Sequence, residues 1–490
     1  MEDPLSYQFH TQPFAHQAEV WEASRNLNAF AAFWEQGTGK SKLTIDTLGH
    51  LYTEGKIDAA IVVAPNGVHR NWITDELPTH LSPDIPLRAH AYSAPSADTK
   101  WHQAEVERLM GHNGLPLLAI SYDAWMTARG KKAVWNMMRK RRVLLTLDES
   151  HRIKTPSARR TRSILAGGKH AAYRRVLSGT PVTNGPFDIY TQLAFLDPEF
   201  WRRELDIGSF TAFKSFFGVW DKGWNNAQKR EFDMLVGYQN LDHLADAIKL
   251  ISSRVTKDDV LDLPPKLFIK RYYEMSPAQR RVYDSVEGEF MAWLDSGELV
   301  TAPLAITRML RLQQVLCGYI PVDGEDEPTE LIERDKNPRL KLLRDTMEDV
   351  NGKTIIWATW TRDIEMILDV LREMGRNPVR YDGRVSDDER QRAKDAFKQG
   401  DATDFVANSQ MSEGLTLNEA KTTIYYANSY KLIDRLQTED RNHRIGQDDH
   451  VTYVDLVCPG TRDERAIDAL VAKLDVANVI MGDKKKGWIE

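Results

Sequence analysis

A chain of 490 residues exceeds what one hydrophobic core organises, and at roughly 150 residues per domain it implies two to three domains. With 42% hydrophobic and 28% charged residues and no Pro, Gly or Ser tract, it reads as folded over most of its length, and no apolar run approaches the ~20 residues of a membrane span. Two cysteines, Cys317 and Cys458, exclude a disulfide framework and a four-thiolate zinc site, while the net charge of -6 argues at first against a polyanion as partner.

In chain order, Met1-Glu2-Asp3-Pro4 lacks the basic-then-apolar pattern of a signal peptide, so the expected location is cytoplasmic, in a prokaryotic or viral-host cell, or nuclear in a eukaryote. Short apolar or β-branched runs follow at 29–34, 59–64, 115–120, 143–147 and 175–178, separated by amphipathic stretches. That alternation predicts parallel strands with crossover helices. Residues 197–337 read as mostly helical, rich in Trp, Phe and charge, with a break at Pro264-Pro265. A second series begins after Pro338, with predicted strands at 354–359, 378–381, 404–407, 422–427 and 451–457. The expected organisation is α/β: a first lobe over 1–196, helical insertions and a hinge over 197–337, and a second lobe over 338–490. No short-period repeat is present, which argues against a solenoid.

Charge is unevenly placed. Between Arg129 and Arg175 there are fifteen Lys or Arg against two acids, Asp148 and Glu149, a local +13 that leaves -19 for the remainder. A solvated helix face accounts for part of such a run. Its position around the acidic pair also suits contact with nucleic-acid phosphates.

Gly37-Thr38-Gly39-Lys40-Ser41 lies between a predicted strand and a predicted helix, the setting a phosphate-binding loop requires. Glycines let backbone N–H groups turn toward phosphate oxygens. Lys40 is then placed to neutralise the β and γ phosphates of ATP, and the Ser41 hydroxyl to hold Mg²⁺. The fuller form of this loop has Gly where this chain has Trp34.

The run 143–147 ends in Asp148-Glu149-Ser150-His151. Two carboxylates at a strand end suit Mg²⁺ binding through water by Asp148 and activation of the attacking water by Glu149. Acidic pairs in this position also serve as helix caps; the loop at 37–41 favours the nucleotide reading.

These motifs, in this order, resemble the SNF2-type branch of superfamily 2 helicases and translocases. Pro13-Phe14-Ala15-His16-Gln17 is similar to the family's adenine-reading segment, which implies that Gln17 meets the base edge. Val62-Val63-Ala64-Pro65-Asn66 with Asn71-Trp72 resembles motif Ia, implying nucleic-acid backbone contacts from Pro65 and Asn66. Asp148-Glu149-Ser150-His151-Arg152-Ile153-Lys154 matches motif II with its basic extension, placing Arg152 and Lys154 toward nucleic acid and His151 as a coupler to motif III, Leu177 to Asn184. Arg254, Thr256-Lys257-Asp258 and Leu263-Pro264-Pro265-Lys266 resemble the junction between lobes. In the second lobe, Tyr381-Asp382-Gly383 with Glu389-Arg390 is similar to the segment after motif IV, and Gly414-Leu415-Thr416-Leu417 to motif V, with Thr416 on nucleic acid. Gln437-Thr438-Glu439-Asp440-Arg441-Asn442-His443-Arg444-Ile445-Gly446-Gln447 matches motif VI, which implies that Arg441 and Arg444 are arginine fingers for the γ-phosphate. The chain departs from the family at Thr416, where most members have Asn, and at Met411-Ser412-Glu413, which replaces much of a glycine run.

The resemblance implies two tandem RecA-like parallel-sheet lobes with helical SNF2-type insertions between them, and ATP and Mg²⁺ as cofactors. It further implies a DNA-stimulated ATPase that translocates on or remodels double-stranded or forked DNA. The Asp-Glu-Ser-His spelling, Gly-Leu-Thr-Leu and the run at 157–162 look closer to the annealing-helicase, fork-remodelling branch. Alternatives are an RNA-directed superfamily 2 helicase, a nucleotide-switched scaffold, and a motor subunit of a restriction or defence complex whose nuclease sits on another chain.

Overall fold

The computed structural model describes residues 7–225, 230–295, 302–321, 328–484 and 487–489; Met1 to Pro4, read above for targeting, lie outside them. Among the described residues no helix is long and apolar enough to cross a membrane.

Seven strands form the first sheet: β1 (Ala29–Trp34), β2 (Ala59–Ala64), β3 (Leu87–Ala91), β4 (Leu115–Ser121), β5 (Val143–Asp148), β6 (Tyr173–Leu177) and, beyond a hairpin of β7 (Gly218–Asn225) and β8 (Arg230–Tyr238), β9 (Ser252–Val255). Their order is β3-β4-β2-β5-β6-β1-β9, and every pairing is parallel. β2 shows why the run is apolar throughout: Ala59, Ile61 and Val63 enter the core on one face, Ala60, Val62 and Ala64 the core on the other. A parallel sheet covered by helices on both faces has no polar side to alternate toward.

The second sheet contains β10 (Lys266–Tyr272) and, after the short pair β11 (Tyr319–Ile320) and β12 (Thr329–Glu330), β13 (Lys353–Ala358), β14 (Pro378–Tyr381), β15 (Asp404–Asn408), β16 (Ala420–Tyr425) and β17 (Val451–Val457). The order is β10-β17-β16-β13-β15-β14, again parallel throughout. Ile356 and Ala358 of the central strand face one core, Ile355 and Trp357 the other.

The chain divides into two compact units: Met1–Gly218, Tyr238–Asp262 and Val476–Lys484 in the first; Val219–Gly237, Leu263–Asp475 and Lys485–Glu490 in the second. The expected boundaries at 196 and 337 do not coincide with these. Residues 197–337 are no separate unit, because β9 completes the first sheet and β10 the second. That region holds more helix than strand, and it also contains the β7–β8 hairpin, β9 and β10. The end of the last helix, Arg462–Met481, sends Ala477, Ile480 and Met481 into the first unit's core. Three strands of the two large sheets are not among those the sequence predicts. β3 and β9 are only part-buried and carry polar residues, and β10 alternates half-buried and exposed positions, so none presents the continuous apolar run of a central strand.

Candidate active site

β1 delivers the chain into the predicted phosphate loop, and the helix Lys40–Thr53 leaves it. Gly37 and Gly39 have φ of 84° and 93°, a left-handed conformation that favours glycine. At Gly39 space is a second constraint: an added Cβ would stand 1.9 Å from Gln17 Nε2. Trp34, in place of the family glycine, is the last residue of β1; it is fully buried and donates its indole N–H to Ser253 Oγ of β9 at 2.7 Å. Lys40 Nζ donates to the carbonyls of Trp34 and Glu35 at 2.8 and 3.1 Å, so the ammonium lies against the loop's own backbone.

Gln17 is 3% exposed and engaged at both ends. Its Nε2 donates to the Thr38 carbonyl at 3.2 Å, and its Oε1 accepts from Phe14 N–H at 3.0 Å. His16 Nε2 lies 2.9 Å from the same carbonyl. The segment predicted to read a base therefore also braces the loop.

Asp148 closes β5, and Glu149 follows with φ of 54°, a left-handed conformation unusual for a non-glycine residue. Burial first, and then the neighbouring Glu149 charge, push the Asp148 carboxyl well above its ordinary range, against the Trp72 hydrogen bond and the Lys40 charge. Trp72 Nε1 donates to Asp148 Oδ2 at 3.0 Å, and Tyr122 Oη donates to the Asp148 carbonyl at 2.8 Å. Two adjacent part-buried carboxylates, one beside a lysine, form a hard-oxygen set whose mutual repulsion a divalent cation relieves. That donor chemistry fits Mg²⁺, for which Asp148 and the Ser41 hydroxyl are the candidate ligands.

Glu149 is tied to the rest of the unit. Gln36 Nε2 donates to Glu149 Oε1 at 3.5 Å, and His151 Nδ1 is 3.3 Å from Glu149 Oε2 and 3.4 Å from Ser178 Oγ. The structure thus joins the acidic pair to the phosphate loop on one side and to Ser178-Gly179-Thr180 on the other. Arg254 of β9 lies beneath both: its Nη1 donates to the carbonyls of Phe33 and Gly179 at 2.8 and 3.3 Å.

In the second unit, the helix Leu432–Glu439 leads into the predicted arginine segment. Arg441 is 4% exposed; its Nε donates to the Gln437 carbonyl at 2.6 Å and its Nη1 to the Leu415 carbonyl at 3.1 Å. Arg444 is half-buried and donates from Nη1 to Thr416 Oγ1 at 2.7 Å. Below them, Arg435 is clamped by Asp455 and Glu439, both fully buried, and stacks 3.5 Å from the Tyr425 ring centroid. Lys266 Nζ reaches the other Glu439 oxygen at 2.9 Å. Burial alone would raise the Glu439 carboxyl, but Lys266 and Arg435 hold it below its ordinary range.

The residues expected on nucleic acid have varied surroundings. Asn66 is exposed and Pro65 buried, Arg152 is part-buried, and Lys154 Nζ donates to Thr183 Oγ1 at 2.6 Å beside Asp188. Thr416 is the acceptor for Arg444. Within the basic run, Arg175 is buried on the Ser24 carbonyl and Arg141 reaches the His112 carbonyl, so these cations are structural. Lys132, Arg139, Lys140, Arg142, Arg159, Arg162 and Lys169 are exposed. The sequence reading missed Gln36, Tyr122, Arg435 and the bond from Trp72, whose partners mostly lie far away in the chain and form no local pattern.

The two parallel-sheet units, with a glycine-built loop after β1 and a part-buried carboxylate pair at the end of β5, define a RecA-like core. Residues 26–317 match the SNF2-related domain and residues 338–446 the helicase conserved C-terminal domain. The chain belongs to the SNF2-related family of helicase superfamily 2. It is 24% identical over 463 residues to the SWI/SNF-related matrix-associated actin-dependent regulator of chromatin subfamily A member 1 of Mus musculus, covering 91% of this chain and 41% of that protein. It is 25% identical over 483 residues to the ATP-dependent DNA helicase DDM1 of Arabidopsis thaliana, covering 94% and 60%. The chain thus spans between two-fifths and three-fifths of the length of these relatives. A solved structure of the Sulfolobus solfataricus SWI2/SNF2 ATPase core in complex with dsDNA is 20% identical, covers 97% of this chain and 94% of that one, and has a TM-score of 0.41.

Proposed function

We propose that the protein hydrolyses ATP in response to DNA and uses the energy to translocate on, or remodel, double-stranded or forked DNA. The observation that carries this reading is the linkage of Glu149 to the phosphate loop through Gln36 and to Ser178 through His151. A water-activating carboxylate tied to both loops is positioned to respond to the nucleotide they enclose.

In the proposed reaction Lys40 leaves its backbone carbonyls for the β and γ phosphates of ATP, and Gln17 meets the adenine edge. Glu149 orients the attacking water and takes up its proton. Ser41 and Asp148 would hold Mg²⁺, which would supply neutralisation of phosphate charge. Arg441 and Arg444 serve the transferred phosphate, a contribution of ~10³–10⁵ in rate where such fingers act. Asn66, Arg152, Lys154 and Thr416 touch nucleic-acid backbone, and the exposed cations between Lys132 and Lys169 add sequence-independent attraction. The proposed setting is a cytoplasm, or a nucleus in a eukaryote.

The test is the ATPase rate with single-stranded, double-stranded and forked DNA and with RNA, beside Lys40→Ala. Stimulation by duplex or forked DNA, lost in the variant, is the expected result. Stimulation by RNA alone would sink the DNA assignment, and turnover that no nucleic acid changes would favour a nucleotide-switched scaffold. Reannealing of a forked substrate at the expense of ATP tests the fork-remodelling branch.

A further inference from the structure

The chain's last residues contact the two arrays described above. The helix Arg462–Met481 stops at Gly482, where φ is 72°, and Asp483 N–H returns to the Asn478 carbonyl at 2.9 Å. A left-handed glycine followed by such a backward bond is a helix stop that fixes the direction of the next residue. Ala477, Ile480 and Met481, packed in the first unit's core, hold that stop in place. Asp483 consequently meets Arg254 in a two-point ion pair, accepting from Nε at 2.9 Å and from Nη2 at 2.7 Å. The same guanidinium supports the Phe33 and Gly179 carbonyls and lies 3.5 Å from Glu35 Oε1. Phe33 and Glu35 are the approach to the phosphate loop, and the Glu35 carbonyl is one that Lys40 occupies.

Within the second unit, Trp488 is 8% exposed and packs with Leu432, Val457, Ile467 and Leu470. Its indole N–H donates to Glu439 Oε1 at 3.0 Å. Glu439 ends the helix that precedes Arg441, and its carbonyl accepts from His443 N–H and Tyr453 Oη. The carboxylate is fully buried, so every donor it has is needed to fix its orientation.

We infer that the C-terminal residues belong to the hydrolytic apparatus. Asp483 is a positioning residue for the phosphate loop and the Ser178-Gly179-Thr180 loop, acting through Arg254; Trp488 is a positioning residue for the arginine segment, acting through Glu439. This inference rests on the ATPase reading above. Neither residue touches nucleotide; each sets the resting place of groups that do.

The two contacts predict different kinetic signatures, which a purely structural role does not. Asp483→Asn keeps the size and removes the charge. It is expected to raise the KM for ATP about three- to tenfold with kcat changed less than twofold, because the phosphate loop binds the ground state. Trp488→Phe keeps an aromatic ring and removes the donor, with a loss of buried volume that the melting curve registers. It is expected to lower kcat about three- to tenfold with KM within twofold, because the arginine segment acts as phosphate is transferred. Asp483→Glu restores the carboxylate and is expected to recover most of the wild-type KM.

Steady-state ATPase kinetics on the full chain, with thermal melting of each variant alongside, read all three. Wild-type parameters in both folded variants overturn the inference, as does a parallel loss of both parameters with a lowered Tm. A wild-type chain that hydrolyses no ATP overturns the functional reading itself, and with it this inference. That outcome is separable, because it appears before any substitution is made.

Discussion

Arg444, expected on a γ-phosphate, and Thr416, expected on nucleic acid, are hydrogen-bonded to each other at 2.7 Å. The bond occupies one Arg444 N–H and one lone pair of the Thr416 hydroxyl, so displacing either side chain disturbs the other. Arg444→Ala is expected to lower kcat by about 10³-fold or more. Thr416→Ala is expected to raise basal turnover about two- to threefold and to reduce the stimulation that DNA adds, since the arginine loses one restraint. Additive effects in the double-mutant cycle would show that the two residues act independently.

Lys40 Nζ donates to the backbone carbonyls of Trp34 and Glu35, two solvent-replaceable contacts at the loop. Lys40→Ala is therefore expected to melt within about 2 °C of the wild type while losing at least about a hundredfold in ATP hydrolysis. Gly39→Ala differs, because its side chain meets Gln17 and its φ disfavours any Cβ. It is expected to lose nucleotide binding together with stability, and pairing it with Gln17→Ala recovers the steric part alone. Equal melting of Gly39→Ala and wild type would contradict this account.

Arg435 is buried against Asp455 and Glu439. Arg435→Met leaves two carboxylates without their guanidinium, at an expected cost of about 3–5 kcal/mol. Denaturant unfolding measures it. Arg435→Met combined with Asp455→Leu is expected to cost less than the single variant.

Asp363 is fully buried in the second unit, accepting from Tyr319 Oη at 3.0 Å and from Cys317 Sγ. Burial is the largest influence, and its carboxyl is pushed from 3.8 up to about 6 despite those donors and the Arg339 charge. A carboxyl raised on folding contributes stability that is whole below pH 3.8 and is lost as pH climbs through about 6. The contribution lost between pH 4 and pH 7.5 is about 2–3 kcal/mol. Asp363→Asn is expected to flatten that portion of the profile, so identical pH slopes for variant and wild type would refute it.

Much of both lobes was readable because central parallel strands are apolar on both faces, as 59–64 and 143–147 illustrate. Edge strands such as β3 and β9 were not, since half-buried positions tolerate Arg88, His90 and Arg254. Glycine positions at 37 and 39 were legible from local spacing, because backbone conformation is encoded where it occurs. Arg254 was visible as a motif residue, but its partner Asp483 lies 229 positions away and no local pattern announces it. The compact units cut across the expected boundaries for a related reason: sheet membership is decided by pairing across the chain, and β9 and β10 lie within what reads as an insertion.

The left-handed backbone at Glu149 has a consequence for anyone improving this protein. A non-glycine residue held there costs on the order of 1 kcal/mol, a debt that Gly or Asn would erase. Selection for heat resistance alone would therefore drift toward those residues at position 149, and under the role proposed for Glu149 the hardiest descendants would lose ATP hydrolysis.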